Sequence, residues 1–216
     1  IALNKIEVIN PGIDLNHSIH ESDLKNAKKI IKNNTPIIVT IARLEQRKSI
    51  DKVLLSIKNL KSKYESLKYI ILGDGDEYKN LKKIVSNLKL NDTVDFIQDA
   101  SQGLKNAILK SSNIFVMPSI QQGRSVEGFG IVFLEAAKYG VPSIGGIKGG
   151  AADIIKNGET GFLCDGEQQS EIYNALLKML DGDKYIEMGK SAEIYSKEFS
   201  WENQIKKIIN LINERK

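Results

Sequence analysis

Short runs of apolar residues, many of them β-branched, recur along the chain, and each run ends at a polar or glycine-containing loop. The clearest run occupies residues 37–42 and is apolar almost without interruption, as in strands that are covered on both faces of a sheet. Similar runs occupy residues 67–72, 94–97, 114–118, 142–145 and 161–164. The pattern predicts a strand at each of these positions.

Between these runs, apolar residues recur at helical spacing. The pattern predicts helices at residues 21–33, 49–61, 77–88, 102–111, 131–140, 167–180, 183–198 and 201–214. Strands that alternate with such helices form a parallel sheet with helices on both faces, so we predict an α/β fold with a Rossmann-like, doubly wound parallel sheet. No internal repeat or long linker interrupts residues 1–216, which predicts a single domain with a leading segment of about residues 1–35 and a terminal helix of about residues 200–216.

The loop and helix at residues 119–140 carry the strongest candidate chemistry. In doubly wound sheets, ligands bind where loops leave the carboxyl ends of the strands. Two carboxylates lie here, Glu127 in the loop and Glu135 about a turn and a half into the helix. They do not share a helical face as an i, i+4 pair would, so we expect them to contact different parts of one bound molecule.

A glycine-rich turn precedes the helix at residues 131–140. Gly128 and Gly130 flank Phe129 and let the backbone bend and approach a ligand. The N–H groups near Phe129, Gly130 and Ile131 then face an open helix end, which carries partial positive charge and attracts phosphate. An ordinary buried helix after a glycine turn has the same pattern, so the stretch by itself leaves both interpretations open.

Composition and charge exclude several classes of protein. The net charge of +4 mildly favours anionic ligands, but no arginine-rich cluster interleaved with aromatic residues indicates nucleic acid. A single cysteine cannot form an internal disulfide, which agrees with a reducing compartment. No apolar run reaches the roughly 18 to 20 residues of a membrane span and no signal peptide is visible, so we expect a cytoplasmic protein. No Cys, His and Asp cluster has metal-ligand spacing.

Several short motifs follow the predicted strands in a fixed order. They are Arg43-x4-Lys48, Gly73-Asp-Gly75, Val94-x-Phe96, Met117-Pro-Ser119, Glu127-Gly-Phe-Gly-Ile-Val-Phe-Leu-Glu135 and Gly149-Gly150. In this order and spacing, the chain from about Val8 to the terminal helix resembles the C-terminal, donor-binding domain of the retaining GT-B glycosyltransferases of group 1, with their Glu-x7-Glu signature. The residues ahead of Glu127 are similar to those of the branch that includes phosphatidylinositol mannosyltransferases.

The resemblance implies roles for most of the candidate residues. Arg43 and Lys48 would contact the diphosphate of a nucleotide sugar, where negative charge builds on the leaving oxygen. Glu127 would orient the donor sugar or its phosphate. Glu135 would accept hydrogen bonds from the ribose hydroxyls, a role suited to an ionised carboxylate.

The same resemblance places the rest of the nucleotide. The amides of Gly128, Phe129, Gly130 and Ile131 would face the phosphates. The nucleobase would lie near Ile97 and Gln98, although the family more often has glycine where this chain has Gln98, and Gly73 would also contact the nucleotide.

The resemblance also implies what the chain lacks. A complete enzyme of this kind has an N-terminal acceptor domain, and we expect this chain to be a piece of a longer protein that transfers no sugar alone. The expected partners are a nucleotide sugar and an acceptor glycan or glycolipid, with no metal or other cofactor and no nucleic acid. The complete enzyme would serve polysaccharide or glycolipid synthesis, with peripheral association at the inner face of a membrane. A sugar-nucleotide epimerase of similar fold and a non-catalytic nucleotide-binding or interaction module remain the alternatives.

Overall fold

The computed structural model describes residues 6–16 and 18–214 and contains one parallel six-stranded sheet. Its strands are β1 (Ile37–Ile41), β2 (Lys68–Leu72), β3 (Val94–Ile97), β4 (Ile114–Met117), β5 (Ser143–Gly146) and β6 (Gly161–Cys164). The strand order is β3-β2-β1-β4-β5-β6, and every neighbouring pair is parallel. The predicted Rossmann-like sheet is therefore confirmed.

The helices follow the strands as the pattern predicts, with boundaries that differ by a few residues. They are α1 (Glu21–Ile31), α2 (Ile50–Lys61), α3 (Tyr78–Asn87), α4 (Gln102–Lys110), α5 (Ile131–Ala137), α6 (Ala151–Ile154), α7 (Gln169–Leu180), α8 (Lys184–Ser196) and α9 (Trp201–Glu214). The short helix α6 was not predicted. Helix α5 is shorter than predicted because a turn replaces its last part, and Gly140, with φ of 70°, ends that turn.

Two hydrophobic cores lie on opposite faces of the sheet. Alternating strand residues face each core: Ile38 and Ile71 contribute to one, and Val39 and Ile70 to the other. Helices α2, α3 and α7 cover the first face, and α1, α4, α5 and α6 cover the second. Because both faces are covered, the strands are apolar throughout, which is why the sequence pattern is so clear.

The strand order reverses between β1 and β4, which pair through Ile38 with Ile114 and Val39 with Phe115. The loops after these two strands therefore leave the same edge of the sheet side by side. Such a switch point is where doubly wound sheets bind ligands. The loops of residues 42–49 and 118–130 meet there.

The leading segment lies beside the beginning of α9. The Ile13 N–H donates to the Phe199 carbonyl (2.8 Å), and the Trp201 N–H donates to the Ile13 carbonyl (3.2 Å). An apolar stripe on α9 remains exposed; its members are Trp201, Ile205, Ile208, Ile209 and Ile212. Residues 1–5 of the predicted leading segment and residues 215–216 of the predicted terminal helix lie outside the described residues. In the part of the chain that is described, no helix is both long and apolar enough to cross a membrane.

Candidate active site

A cluster of charged side chains lies where the two loops of the switch point meet. Glu127 Oε2 accepts hydrogen bonds from the Lys48 ammonium, from Arg47 Nη1 (3.2 Å) and from Ser119 Oγ (3.2 Å). The Lys48 side chain is 6% exposed and the Glu127 side chain 13%. The structure thus brings together Lys48 and Glu127, two residues that the sequence analysis selected separately.

The loop after β1 turns sharply to direct Lys48 inward. A 3-10 turn over Gln46–Lys48 ends at Ser49, whose left-handed backbone (φ 53°, ψ 31°) leads into α2. The Ile120 N–H donates to the Arg47 carbonyl (2.8 Å), which joins this loop to the loop after β4. The Lys48 side chain therefore extends across the switch point, with its ammonium 3.6 Å from Met117 Sδ.

The Gly149-Gly150 pair supports the loop that carries Glu127. The Gly150 N–H donates to the Glu127 carbonyl (3.1 Å). A Cβ atom at Gly150 would lie 1.7 Å from the Gly128 carbonyl oxygen, and one at Gly149, where φ is 102°, would lie 2.6 Å from the Glu127 carbonyl oxygen. Only glycine permits this close approach of the two backbones, so the pair sets the position of the Glu127 loop.

Burial and pairing contribute in different proportions to the pKa values of Glu127 and Lys48. Burial favours the neutral acid of Glu127, but the hydrogen bond and charge of Lys48, the charge of Arg47 and the Ser119 hydroxyl outweigh it and hold its pKa below the usual range. Burial also lowers the pKa of Lys48, and pairing with Glu127 only partly opposes that effect. Glu127 is therefore ionised at neutral pH.

Arg43, the other predicted diphosphate ligand, lies on the solvent side of the cluster. Its side chain is 78% exposed, and Nη2 is 2.7 Å from Glu45 Oε1. The other oxygen of Glu45 accepts from Arg47 Nε (2.7 Å), and Arg47 in turn contacts Glu127. Glu45 therefore links Arg43 to the buried pair through one continuous chain of charges.

A cavity of about 340 Å³ opens next to Arg43, between the loops that follow β1, β2 and β3. Its lining includes the predicted residues Gly73 and Gln98, together with Asp74 and Lys105. A Cβ atom at Gly73, where φ is 135°, would lie 2.0 Å from the Ala42 carbonyl oxygen, so glycine is required for the loops to approach.

Two of the expected nucleobase residues have partners of their own. Gln98 Nε2 donates to Asp74 Oδ1 (3.0 Å). The Ile97 carbonyl accepts from the Gly73 N–H (2.9 Å), so Ile97 joins the two loops through its backbone. These contacts hold the loop of Gln98 at the edge of the cavity.

Glu135 lies apart from Glu127 and has a different partner. Its Oε1 accepts from Lys105 Nζ (2.7 Å), and the two side chains are 22% and 18% exposed. Glu135 also lines a groove of about 340 Å³ together with Ile131 and Lys138. The two carboxylates thus have different surroundings, and their contact with different parts of one ligand stays a prediction.

The turn before α5 places its residues in different environments. Gly130 adopts a left-handed conformation (φ 75°, ψ 50°), and α5 begins at Ile131, which is 43% exposed. The Phe129 ring lies 6.0 Å from the Phe199 ring, and the partly buried Phe129 side chain packs against the core. A Cβ atom at Gly128 would meet nothing within 4 Å, which leaves open space beside the Glu127 loop.

Four residues of the site were not selected from the sequence: Glu45, Arg47, Asp74 and Lys105. Arg47 and Lys105 contact the two predicted glutamates directly. Arg47 stands next to Lys48 in the sequence, so a search for several cations in one loop could have found it. Lys105 has no such signal, because only the packing of α4 beside α5 brings it to Glu135.

Metal and thiol chemistry have no assembled site in the described residues. Among residues 6–16 and 18–214, no group of three or more His, Cys, Asp or Glu side chains is placed to hold a metal ion. Cys164 is buried, and burial raises the pKa of its thiol to about 12. A thiol with this pKa is a poor nucleophile at neutral pH.

Comparison with known proteins identifies relatives of this chain. A family model described as "Glycosyl transferases group 1" matches residues 21–199. A GDP-mannose-dependent alpha-(1-6)-phosphatidylinositol monomannoside mannosyltransferase of Mycobacterium tuberculosis (strain CDC 1551 / Oshkosh) is 26% identical over 215 residues, which cover 96% of this chain and 55% of that protein. The chain therefore spans about half the length of this relative.

Solved structures show the same fold. The structure of Anabaena Alr3699/HepE in complex with UDP and glucose superposes with a TM-score of 0.81 at 21% identity, over 96% of this chain and 57% of that one. The C-terminal domain of a glycosyl transferase group 1 family protein (LpcC) from Francisella tularensis gives a TM-score of 0.74 at 18% identity, over 88% of this chain and 100% of that one. These likenesses confirm the predicted fold, that of one half of a GT-B glycosyltransferase. Because the group 1 model matches most of its length, the chain belongs to the group 1 glycosyl transferases.

Proposed function

We propose that this chain is the donor-binding domain of a retaining glycosyltransferase. It binds a nucleoside diphosphate sugar, and an N-terminal acceptor domain outside this chain completes the enzyme that transfers the sugar to a glycan or glycolipid. The observation that carries the proposal is the contact of Lys48 with Glu127 at the switch point, next to the cavity that Arg43 lines. A diphosphate placed between that cavity and the ion pair would lie within reach of both cations.

The charge balance of the cluster supports an anionic ligand. Three cations, Arg43, Arg47 and Lys48, face two carboxylates, Glu45 and Glu127, so the cluster keeps one net positive charge. Breakage of the bond between the anomeric carbon and the diphosphate places negative charge on the leaving oxygen. Cations that are already in position stabilise that charge without reorganisation.

The surroundings of Glu127 support an orienting role. A general acid must hold a proton at the working pH, and Lys48 and Arg47 instead keep the pKa of Glu127 low. We therefore propose that Glu127 orients Lys48 and the donor sugar and is neither the general acid nor the nucleophile. The transfer would then depend on diphosphate departure and on the acceptor domain.

Two of the related proteins differ in the base of their nucleotide. The mycobacterial relative is described as GDP-mannose-dependent, and the structure of HepE contains UDP. We propose that the cavity lined by Gly73 and Gln98 receives a guanine or uracil base. We also propose that the donor binds without a metal ion, and that the complete enzyme works in the cytoplasm at the inner face of a membrane.

Isothermal titration calorimetry of the chain with UDP, GDP and ADP tests donor binding. We expect UDP or GDP to bind in the presence of EDTA, and uridine or guanosine to bind at least about tenfold more weakly because they lack the diphosphate. As a control for the general effect of removing a positive charge, Lys58→Met, at an exposed position of α2, should bind UDP or GDP as tightly as the wild type does. No heat with any of the three nucleotides at millimolar concentration would contradict the donor site.

The chemistry is tested on the longer protein. We expect this chain alone to transfer no sugar, because its acceptor domain is missing, and we expect the complete enzyme to give a product with the anomeric configuration of the donor. Nuclear magnetic resonance of the product distinguishes retention from inversion. Detection of an epimerised donor without transfer would instead favour the epimerase alternative.

A further inference from the structure

Lys105 is the hydrogen-bond partner that the structure gives to Glu135, the carboxylate expected at the ribose. Lys105 Nζ donates to Oε1 at 2.7 Å, across 30 positions of sequence. Within residues 6–16 and 18–214, no other side chain hydrogen-bonds to the Glu135 carboxylate. Its second oxygen therefore remains available as an acceptor for a ligand.

The backbone that carries Lys105 is firmly held. Ser101 caps the beginning of α4 by accepting from the Leu104 N–H (3.1 Å), and Ala107, Ile108 and Leu109 are completely buried in the core. The Lys105 side chain is itself only 18% exposed. The held backbone and the low exposure of the side chain therefore restrict where its ammonium can lie.

Lys105 also connects Glu135 to the cavity beside Arg43, Gly73 and Gln98. It lines that cavity, whereas its partner Glu135 lines the separate groove beside Ile131, so the Lys105–Glu135 hydrogen bond links the two. A ribose attached to a base in the cavity would reach Glu135 past the Lys105 side chain. An ammonium at this place selects one rotamer of the carboxylate and leaves one oxygen directed away from the pair.

We propose that Lys105 is a positioning residue for ribose recognition. Through its hydrogen bond to Oε1 it holds the Glu135 carboxylate in one orientation, so that the second oxygen accepts from a ribose hydroxyl. This inference rests on the proposed function, because it concerns the nucleotide of the same donor site. Its direct consequence is discrimination between ribonucleotides and deoxyribonucleotides, which nothing else in the site requires of Lys105.

The measurement is the ratio of dissociation constants for a deoxyribonucleotide and its ribonucleotide, determined by calorimetry on the 216-residue chain. The probes are UDP with 2′-deoxy-UDP and 3′-deoxy-UDP, and GDP with its two deoxy analogues. We expect the wild-type ratio to be about tenfold for at least one hydroxyl, as for a hydrogen bond to a charged group. In Lys105→Met we expect the ratio to fall to about twofold or less.

Three further variants separate positioning from other roles. Lys105→Arg, which keeps a cation able to donate to Glu135, should restore most of the ratio, and Glu135→Ala should reduce it to about one. Lys110→Met, at the exposed end of α4, should leave the ratio unchanged. In the double variant Lys105→Met/Glu135→Ala, the ratio should equal that of Glu135→Ala alone, because the two residues act as one unit.

Each other outcome overturns the inference. If Lys105→Met weakens ribo- and deoxyribonucleotides equally, Lys105 contacts the phosphates directly. If it lowers Tm and leaves the ratio unchanged, the pair only joins α4 to α5. If the wild type binds nucleotides without discriminating the ribose, this inference fails and the donor site stands, whereas absence of binding by every nucleotide rejects the proposed function as well.

Discussion

The ammonium of Lys48 is in contact with the carboxylate of Glu127, although 79 positions of sequence separate them. The contact joins the loop after β1 to the loop after β4, at the place where the strand order reverses. A buried ammonium beside a carboxylate is costly to desolvate, which makes this pair the candidate functional arrangement of the fold.

Lys48→Met should remove most of the affinity for a nucleoside diphosphate. Loss of a positioned cation should weaken UDP or GDP binding by roughly 10- to 100-fold, because hydrogen bonds between charged groups are among the strongest in proteins. Binding of the nucleoside without phosphates should change little. Calorimetry with both ligands measures the difference, and equal losses for nucleoside and nucleotide would show that Lys48 acts on the fold of the site.

The stability of the chain should depend on the charge of Glu127 in acid. Its folded pKa is lowered from the unfolded value of 4.5, so the ionised pair stabilises the fold fully above about pH 4.5 and loses this contribution as the pH falls through the lower, folded pKa. The difference in Tm between wild type and Glu127→Gln should therefore shrink between about pH 6 and about pH 3. Thermal unfolding followed by circular dichroism measures it, with exposed Glu65→Gln as the control. A difference that stays constant with pH would contradict the assignment.

Gly150→Ala should displace the loop of Glu127. The new Cβ atom would lie 1.7 Å from the Gly128 carbonyl oxygen, so the two backbones must separate, at a cost of about 1–3 kcal/mol or more. Gly128→Ala is the matched comparison, because its Cβ atom would meet nothing within 4 Å and should leave Tm unchanged. Chemical denaturation and nucleotide titration of both variants test this. Equal stability of the two variants would mean that the loops do not approach as closely as described.

Loss of charge at Arg47 should mainly affect stability, whereas loss of charge at Arg43 should mainly affect nucleotide binding. Arg47, with its side chain 12% exposed, contacts both Glu45 and Glu127, so Arg47→Gln should lower the free energy of unfolding by about 1–3 kcal/mol. Arg43→Gln breaks an exposed pair and should change it by less than about 1 kcal/mol. The same Arg43→Gln variant should bind a nucleoside diphosphate more weakly. A large stability loss in Arg43→Gln would contradict this division of roles.

The fold was largely predictable from the sequence because the sheet is buried on both faces. Continuous apolar runs then indicate strands such as β1 and β2, and helical spacing between them indicates the covering helices. The errors lie at helix ends and at the short helix α6, where local turn geometry decides between helix and loop. Four residues are too few to give a periodic signal.

The sequence by itself determined the order of the elements and placed Lys48, Glu127 and Glu135 in loops or helices that follow strands. Which side chains pair was decided only by the tertiary structure. Arg47 reaches Glu127 because β1 and β4 are neighbours in the sheet, and Lys105 reaches Glu135 because α4 packs beside α5. Such contacts depend on strand order and helix packing, which distribute residues distant in sequence around one edge of the sheet. The local pattern therefore indicated where the chemistry lies, and the packing supplied the partners that orient it.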